Sequence, residues 1–208
     1  TWMHSGALRI DGEKMSKSLG NFFTIREVLK KYRAEEMRYF ILTSQYRSPL
    51  NYDEEHLLNA RGALTRFYTA LRGLPVVDAA GGEAQAEAFH KAMQDDFNTP
   101  EALAALFELV REVNRVRITD KVVAAGLAAR LKSLGALLGI LQDDPENYLC
   151  GSKVADGLGN DEITQMIEQR NQAKVDKNWA EADRIRDVLL AQGIVLEDSQ
   201  AGTTWRRS

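Results

Sequence analysis

Cysteine, proline and histidine are scarce in this chain of 208 residues, which has one, four and three of them. The single cysteine, Cys150, excludes an internal disulfide and any multi-cysteine zinc cluster, and it fits a reducing, cytoplasmic setting. No reactive base or metal partner stands near it in sequence, so it reads as incidental. The three histidines, His4, His56 and His90, are too dispersed to form a metal set with Cys150. No run of about 18 apolar residues exists, which excludes a helical membrane span. The opening Thr1-Trp2-Met3-His4 has neither an initiator Met nor a basic-then-apolar leader, so the chain is expected to be cut from something longer. No strong excess of one charge exists either: 27 Lys and Arg face 30 Asp and Glu. Nine of those cations and five of those anions fall in residues 1–50, leaving 18 and 25 for the rest. A protein that coats DNA would be basic throughout, so no DNA partner is expected. A nucleic acid met on selected faces stays open.

The apolar residues that are present, within a hydrophobic share of 44%, are organised by helical period. Residues 1–13 predict short strands around a turn at Asp11-Gly12. A polar loop, Lys14 to Asn21, follows. Thr24 with Glu27 makes a capping box, and Ile25, Val28, Leu29 and Tyr32 form one apolar face. A second short helix is predicted over 34–43, burying Met37, Phe40 and Ile41, with a loop at Ser48-Pro49 and Asn51. From Asp53 the residues Leu57, Ala60, Leu64, Phe67 or Tyr68, and Leu71 recur every three or four, until Gly73 and Pro75 stop the run. Helices carrying Phe89, then Leu103 to Val113, then Leu127 to Leu138 follow. Thr99 is expected at the cap of the second of these, with Pro100 at the first helical position. Four such helices predict an antiparallel bundle. Residues 143–160, rich in Asp and Gly, read as a linker. Beyond them come two helices, starting near Asp161 and Asn178, and a hairpin of Ile194-Val195-Leu196 with Thr203-Thr204-Trp205. The predicted fold class is mainly α, with a small C-terminal α+β domain.

The sharpest signal is Lys14-Met15-Ser16-Lys17-Ser18. Two ammonium groups in a hydroxyl-rich loop suit a polyphosphate, which they can neutralise while Ser16 and Ser18 donate hydrogen bonds. Gly12 and Gly20 bracket the loop and let it open and close. An arbitrary K-x-x-K is usually a solvated basic turn, but a chance match to the whole pentapeptide is on the order of one in ten thousand for such a chain.

That pentapeptide resembles the second signature loop of class I aminoacyl-tRNA synthetases. Further blocks narrow the resemblance to the cysteinyl-tRNA synthetase family, closest to bacterial members: Trp2 to Gly6, Ser18 to Thr24, Phe97 to Ala102, Gly193 to Asp198 and Gly202 to Arg207. The resemblance runs the whole length. It implies ATP-dependent activation of cysteine and transfer to its tRNA, with Lys17 first and Lys14 second steadying charge on the leaving pyrophosphate, and Lys14, Met15, Ser16, Lys17 and Ser18 against ATP. It also implies the organisation: the end of a catalytic domain at 1–23, a connecting fold at 24–52, the helical bundle at 53–142, a linker at 143–160 and an anticodon-binding domain at 161–208. The family's nucleotide-binding fold, its His-x-Gly-His signature and its cysteine-selecting zinc site belong to an N-terminal half. Zinc is thus expected in the complete enzyme, with no ligands in this chain, which alone should make no cysteinyl-tRNA.

Lys30, Lys31, Arg33, Arg38 and Arg47 cluster where an acceptor stem would lie, although each alone reads as a solvated face. In the last domain, Trp179 and Trp205 are candidates for stacking an unpaired base, and Asp183 and Asp198 for accepting from base N–H groups. Lys174, Arg206 and Arg207 suit phosphates or a guanine edge. On pattern alone Trp179 fits a small core equally well, and Asp183 an ion pair with Arg184 or Arg186. The resemblance supports Trp179, Asp183 and Asp198 as anticodon readers. It puts a guanine contact at Lys174 in doubt, since relatives often have Arg there and lysine lacks the fork. Two alternatives remain open at this point: a tRNA-independent cysteine ligase, and a non-catalytic tRNA-binding module.

Overall fold

The computed structural model describes residues 2–10, 12–15, 24–151, 158–199 and 202–207. They form two compact units, Thr1–Gln142 and Asp143–Ser208.

The first unit opens with a small sheet. Strand β1 (Leu8–Ile10) pairs antiparallel with β2 (Glu13–Lys14) and parallel with β3 (Leu50–Tyr52), in the order β2-β1-β3. The β1–β2 turn uses Gly12 at φ 83°, whose N–H donates to Asn51 Oδ1 at 2.8 Å. Gly6 is required by close approach, because a Cβ there would lie 2.0 Å from the Ser48 carbonyl oxygen. Strand β3 replaces the loop expected around Asn51. Three residues with one long-range partner carry no period for a sequence to display.

Helix α1 (Ile25–Val28) starts at the expected capping box, with the Thr24 N–H donating to Glu27 Oε2 at 2.7 Å. It lasts a single turn, so the expected apolar face is only half realised: Val28 and Tyr32 are buried, Ile25 and Leu29 exposed. Helix α2 (Ala34–Leu42) buries Met37 and Phe40 as expected, but turns Ile41 outward and Tyr39 inward. It also buries a carboxylate. Glu36 is 2% exposed and accepts from Arg61 Nε at 2.9 Å and from the Arg33 N–H at 2.9 Å. Its neighbour Glu35 accepts from the Tyr68 hydroxyl at 2.8 Å and from the Leu141 N–H. The two carboxylates thereby fasten α2 to Arg61 and Tyr68 and to the backbone at Leu141.

The bundle consists of α3 (Glu54–Leu71), α4 (Glu83–Gln94), α5 (Thr99–Val116) and α6 (Lys121–Leu137). Asp53 caps α3 through the His56 N–H, and Asp120 caps α6. Helix α5 touches the other three. Leu57, Leu64, Phe67, Leu106, Leu109 and Leu131 are fully buried between them, each contributing about 1.5–3 kcal/mol of transfer free energy. Phe67 stacks on Phe107 with ring centroids 4.5 Å apart, joining α3 to α5. The cap of α5 is Asn98, one residue earlier than expected, so Thr99 takes the first helical position and Pro100 the second. Both lie in the first turn, where a missing N–H costs nothing.

In the second unit, residues 145–150 correct the linker reading. They form helix α7 (Pro145–Cys150), capped by Asp144 and burying Tyr148, Leu149 and Cys150. Helices α8 (Asn160–Val175) and α9 (Trp179–Ala191) then lead, through Gly193 at φ 73°, into the antiparallel hairpin of β4 (Ile194–Ser199) and β5 (Gly202–Arg207). Ile163, Ile167, Ile185, Leu189 and Ile194 form the core, with Leu158, Met166, Leu196 and Trp205 packed against it. The chain is mainly α with a small C-terminal sheet, as expected.

Replacing Arg61 with Ala leaves the Glu36 carboxylate buried without its cation. Urea unfolding of Arg61→Ala should show a loss of about 3 kcal/mol. A loss under about 1 kcal/mol, the range of a surface pair, would contradict the role given to this contact.

Candidate nucleic-acid interface

Of the signature pentapeptide, the backbone of Lys14 lies in β2, opposite Arg9, rather than in a loop. Met15 follows, its N–H donating to the Leu8 carbonyl at 3.3 Å. Strand pairing with β1 carries the chain this far. Ser16, Lys17 and Ser18 lie outside the described residues.

The five cations after the loop divide. Lys30 and Lys31 are exposed. Arg33 is half-buried. Arg38 donates to the Gly139 carbonyl at 2.6 Å, and Arg47 donates to Asp96 through Nε at 2.7 Å. Asp96 also accepts from the Tyr46 hydroxyl at 2.8 Å, and these donors hold its carboxyl below the usual carboxylate range, Arg47 most of all. Asp96 and Phe97 both adopt positive φ, 49° and 55°. Such residues cost on the order of 1–3 kcal/mol each and persist where surroundings over-determine them. Here the partners of Asp96 do so, at the turn that joins α4 to the start of α5. Arg38 and Arg47, although exposed like Lys30 and Lys31, are therefore engaged by the chain itself.

The C-terminal candidates also divide. Asp198, on β4, accepts from both Nη atoms of Arg170, at 2.9 and 2.8 Å, from the Thr203 hydroxyl at 2.6 Å and from Lys174 Nζ at 3.0 Å. Arg170 is 5% exposed, and its Nε meets no hydrogen-bond partner among the described residues. Sequence reasoning missed it, although a signal was there: Arg170 continues the buried stripe of Ile163 and Ile167 along α8. A cation in such a stripe demands an anion to meet it. Asp183 sits one turn after Trp179 on α9, pairs with Arg186 at 3.3 Å, and is near enough to Arg170 to help keep it charged. Trp179 is 61% exposed, so the core reading of this residue gives way. Trp205 is half-buried, packed against the core, with the Arg207 guanidinium 5.5 Å from its ring centroid. Arg206 donates to Glu197 at 3.1 Å, and Arg207 donates to the carbonyls of Cys150 and Leu158. Arg170 and Lys174 thus meet on Asp198, with Asp183 within electrostatic range of Arg170, while Arg206 pairs within the hairpin.

The Arg170 fork, then Thr203 and Lys174, hold the Asp198 carboxyl far below the usual carboxylate range. Because the folded group titrates below the unfolded one, its contribution to stability is complete above about pH 4 and is lost as the pH falls. Asp198→Asn should therefore flatten the acid limb of the stability-against-pH curve, measured by urea unfolding below pH 4. An unaltered limb would show that the pair does not act on the ionised form.

Among the described residues no three His, Cys, Asp or Glu side chains are grouped to hold a metal ion. No described helix is long and apolar enough to cross a membrane. Residues 1–62 match the family of class I (C) tRNA synthetase catalytic domains, 88–142 the DALR domain, and 159–206 the cysteinyl-tRNA ligase anticodon-binding domain. A cysteine–tRNA ligase of Ectopseudomonas mendocina is 60% identical over 205 residues, 99% of this chain and 44% of its own length. That of Azotobacter vinelandii matches with the same figures, and that of Methylococcus capsulatus is 58% identical over 211 residues. The chain spans under half the length of these curated relatives. A crystal structure of an Agrobacterium radiobacter LeuRS–tRNA–LeuAMS complex superposes on 68% of the chain and 23% of its own, with a TM-score of 0.52 at 19% identity, which shows a shared fold. With the three domain matches in this order and near 60% identity over almost every residue, the chain belongs to the cysteine–tRNA ligase family.

Proposed function

We propose that this chain supplies the ATP-closing loop and the tRNA contacts of a cysteine–tRNA ligase. The observation that carries the reading is the identity of 60% to ligases of that name across 99% of the chain. In the first step the cysteine carboxylate attacks the α-phosphorus of ATP, giving cysteinyl-adenylate and pyrophosphate. The terminal ribose hydroxyl of the tRNA then takes the cysteinyl group. Lys17 first and Lys14 second meet the charge that builds on the leaving pyrophosphate, and Met15, Ser16 and Ser18 complete the loop over ATP. The cysteine-selecting zinc implied by the family resemblance finds no ligand set among the described residues.

The tRNA is met in two places. Lys30 and Lys31 face solvent where phosphates of the acceptor stem can lie, which positions the RNA without reading sequence. In the C-terminal unit, Trp179 offers an exposed ring for stacking, and Asp183 and Asp198 offer carboxylates for base N–H groups. Acidic readers beside a polyanion make sense only if they accept from bases. The match of 159–206 to an anticodon-binding domain favours this over a tRNA-independent cysteine ligase. Loop, stem contacts and anticodon reader on one chain favour it over a non-catalytic module.

In the full-length enzyme, Lys17→Ala should lower ATP–pyrophosphate exchange by roughly 10²–10³-fold, the scale of losing one donor to developing negative charge, and leave tRNA affinity unchanged. An unchanged exchange rate would remove Lys17 from its role.

A further inference from the structure

An ionised carboxylate offers about four acceptor directions. At Asp198 all of them are occupied: Oδ1 by Arg170 Nη1 and Thr203 Oγ1, Oδ2 by Arg170 Nη2 and Lys174 Nζ. The side chain is nonetheless 47% exposed, open to a ligand that finds no vacant acceptor. A base N–H can therefore reach Asp198 only if one of the four bonds opens.

The four are unequal. The Arg170 side chain is 6% exposed, and opening its fork would strand a buried guanidinium. Thr203 lies directly opposite Asp198 in the β4–β5 register, so the hairpin keeps its hydroxyl within reach. Lys174 is different. Its side chain is a third exposed, on a flexible stem, and contributes a single-point bond with no fork to break. A polyanion arriving at this face offers that ammonium an equivalent partner in a phosphate oxygen.

We propose that Lys174 is an exchangeable cap on Asp198: in the RNA-free protein its ammonium fills an Oδ2 acceptor position, and on binding it moves to an RNA phosphate and yields that position to a base N–H. Arg170 is the positioning residue of this exchange. Its fork holds the carboxylate charged and in one orientation while the cap leaves. The exchange sharpens selection, because a base without a donor in place leaves the vacated oxygen unsatisfied and Lys174 stays. The proposal rests on the anticodon-reading function given above.

The test uses the full chain, a cysteine tRNA transcript and the same transcript with its anticodon changed, titrated over a series of KCl concentrations. Lys174→Met removes the charge and the donors but keeps the stem; Lys174→Arg restores the charge. For the cysteine transcript, Lys174→Met should reduce the slope of log K against log salt by about 0.7–0.9, one phosphate contact, and Lys174→Arg should restore it. At high salt Lys174→Met should bind as tightly as the unsubstituted chain or more tightly, because its Asp198 needs no uncapping. An unchanged slope, or an equal loss of affinity at every salt concentration, would overturn the cap. If the unsubstituted chain itself fails to distinguish the two transcripts, the anticodon-reading function falls and the cap with it. A clear preference with an unchanged slope would sink the cap alone.

Discussion

A guanidinium taken out of water has to be met by an anion, and in the C-terminal unit Arg170 is met by Asp198. This pair ties α8 to the β4–β5 hairpin at the polar edge of a core made by only a few isoleucines and leucines. Desolvation makes the pair demanding: either partner alone is costly, so each fixes the other. The same contact fixes a charge at the surface. Asp198 is held ionised and oriented with half its side chain in solvent, next to Lys174 and near Asp183. Structure and proposed chemistry therefore depend on one contact.

The first unit uses the device differently. Glu35 and Glu36 stand side by side on α2, yet one accepts from Tyr68 and the Leu141 backbone while the other is buried against Arg61. They anchor the short connecting helices, which have too few apolar residues to hold by packing alone. Asp96 does the same for the turn between α4 and α5, where two residues sit at positive φ. Charged residues that a surface reading would leave in solvent are here the joints between elements.

That explains what was legible in the sequence. The long helices α3, α5 and α6 show their periods plainly, and their predicted core positions are buried. The capping box at Thr24 depends on a neighbour three residues away, and the structure has it. Features set by distant partners were not readable: β3, which exists through β1; α7, which is held by β5; and the inward turn of Tyr39 in place of Ile41. At the candidate site, Lys174, Trp179, Asp183 and Asp198 follow from residue type and resemblance, whereas Arg170, which holds Asp198, reads in the sequence as part of an ordinary helix.

The proposed ATP loop, stem cations and base reader lie along the chain in that order, and the proposed ligase activity requires all three. The central claim is that the C-terminal unit reads the anticodon through Asp198. Base-specific chemical footprinting of a cysteine tRNA with the full chain tests it most directly. The account predicts protection of the anticodon bases that disappears with Asp198→Asn, while protection elsewhere on the tRNA persists. Anticodon bases that stay reactive, or protection that survives the substitution, would contradict it.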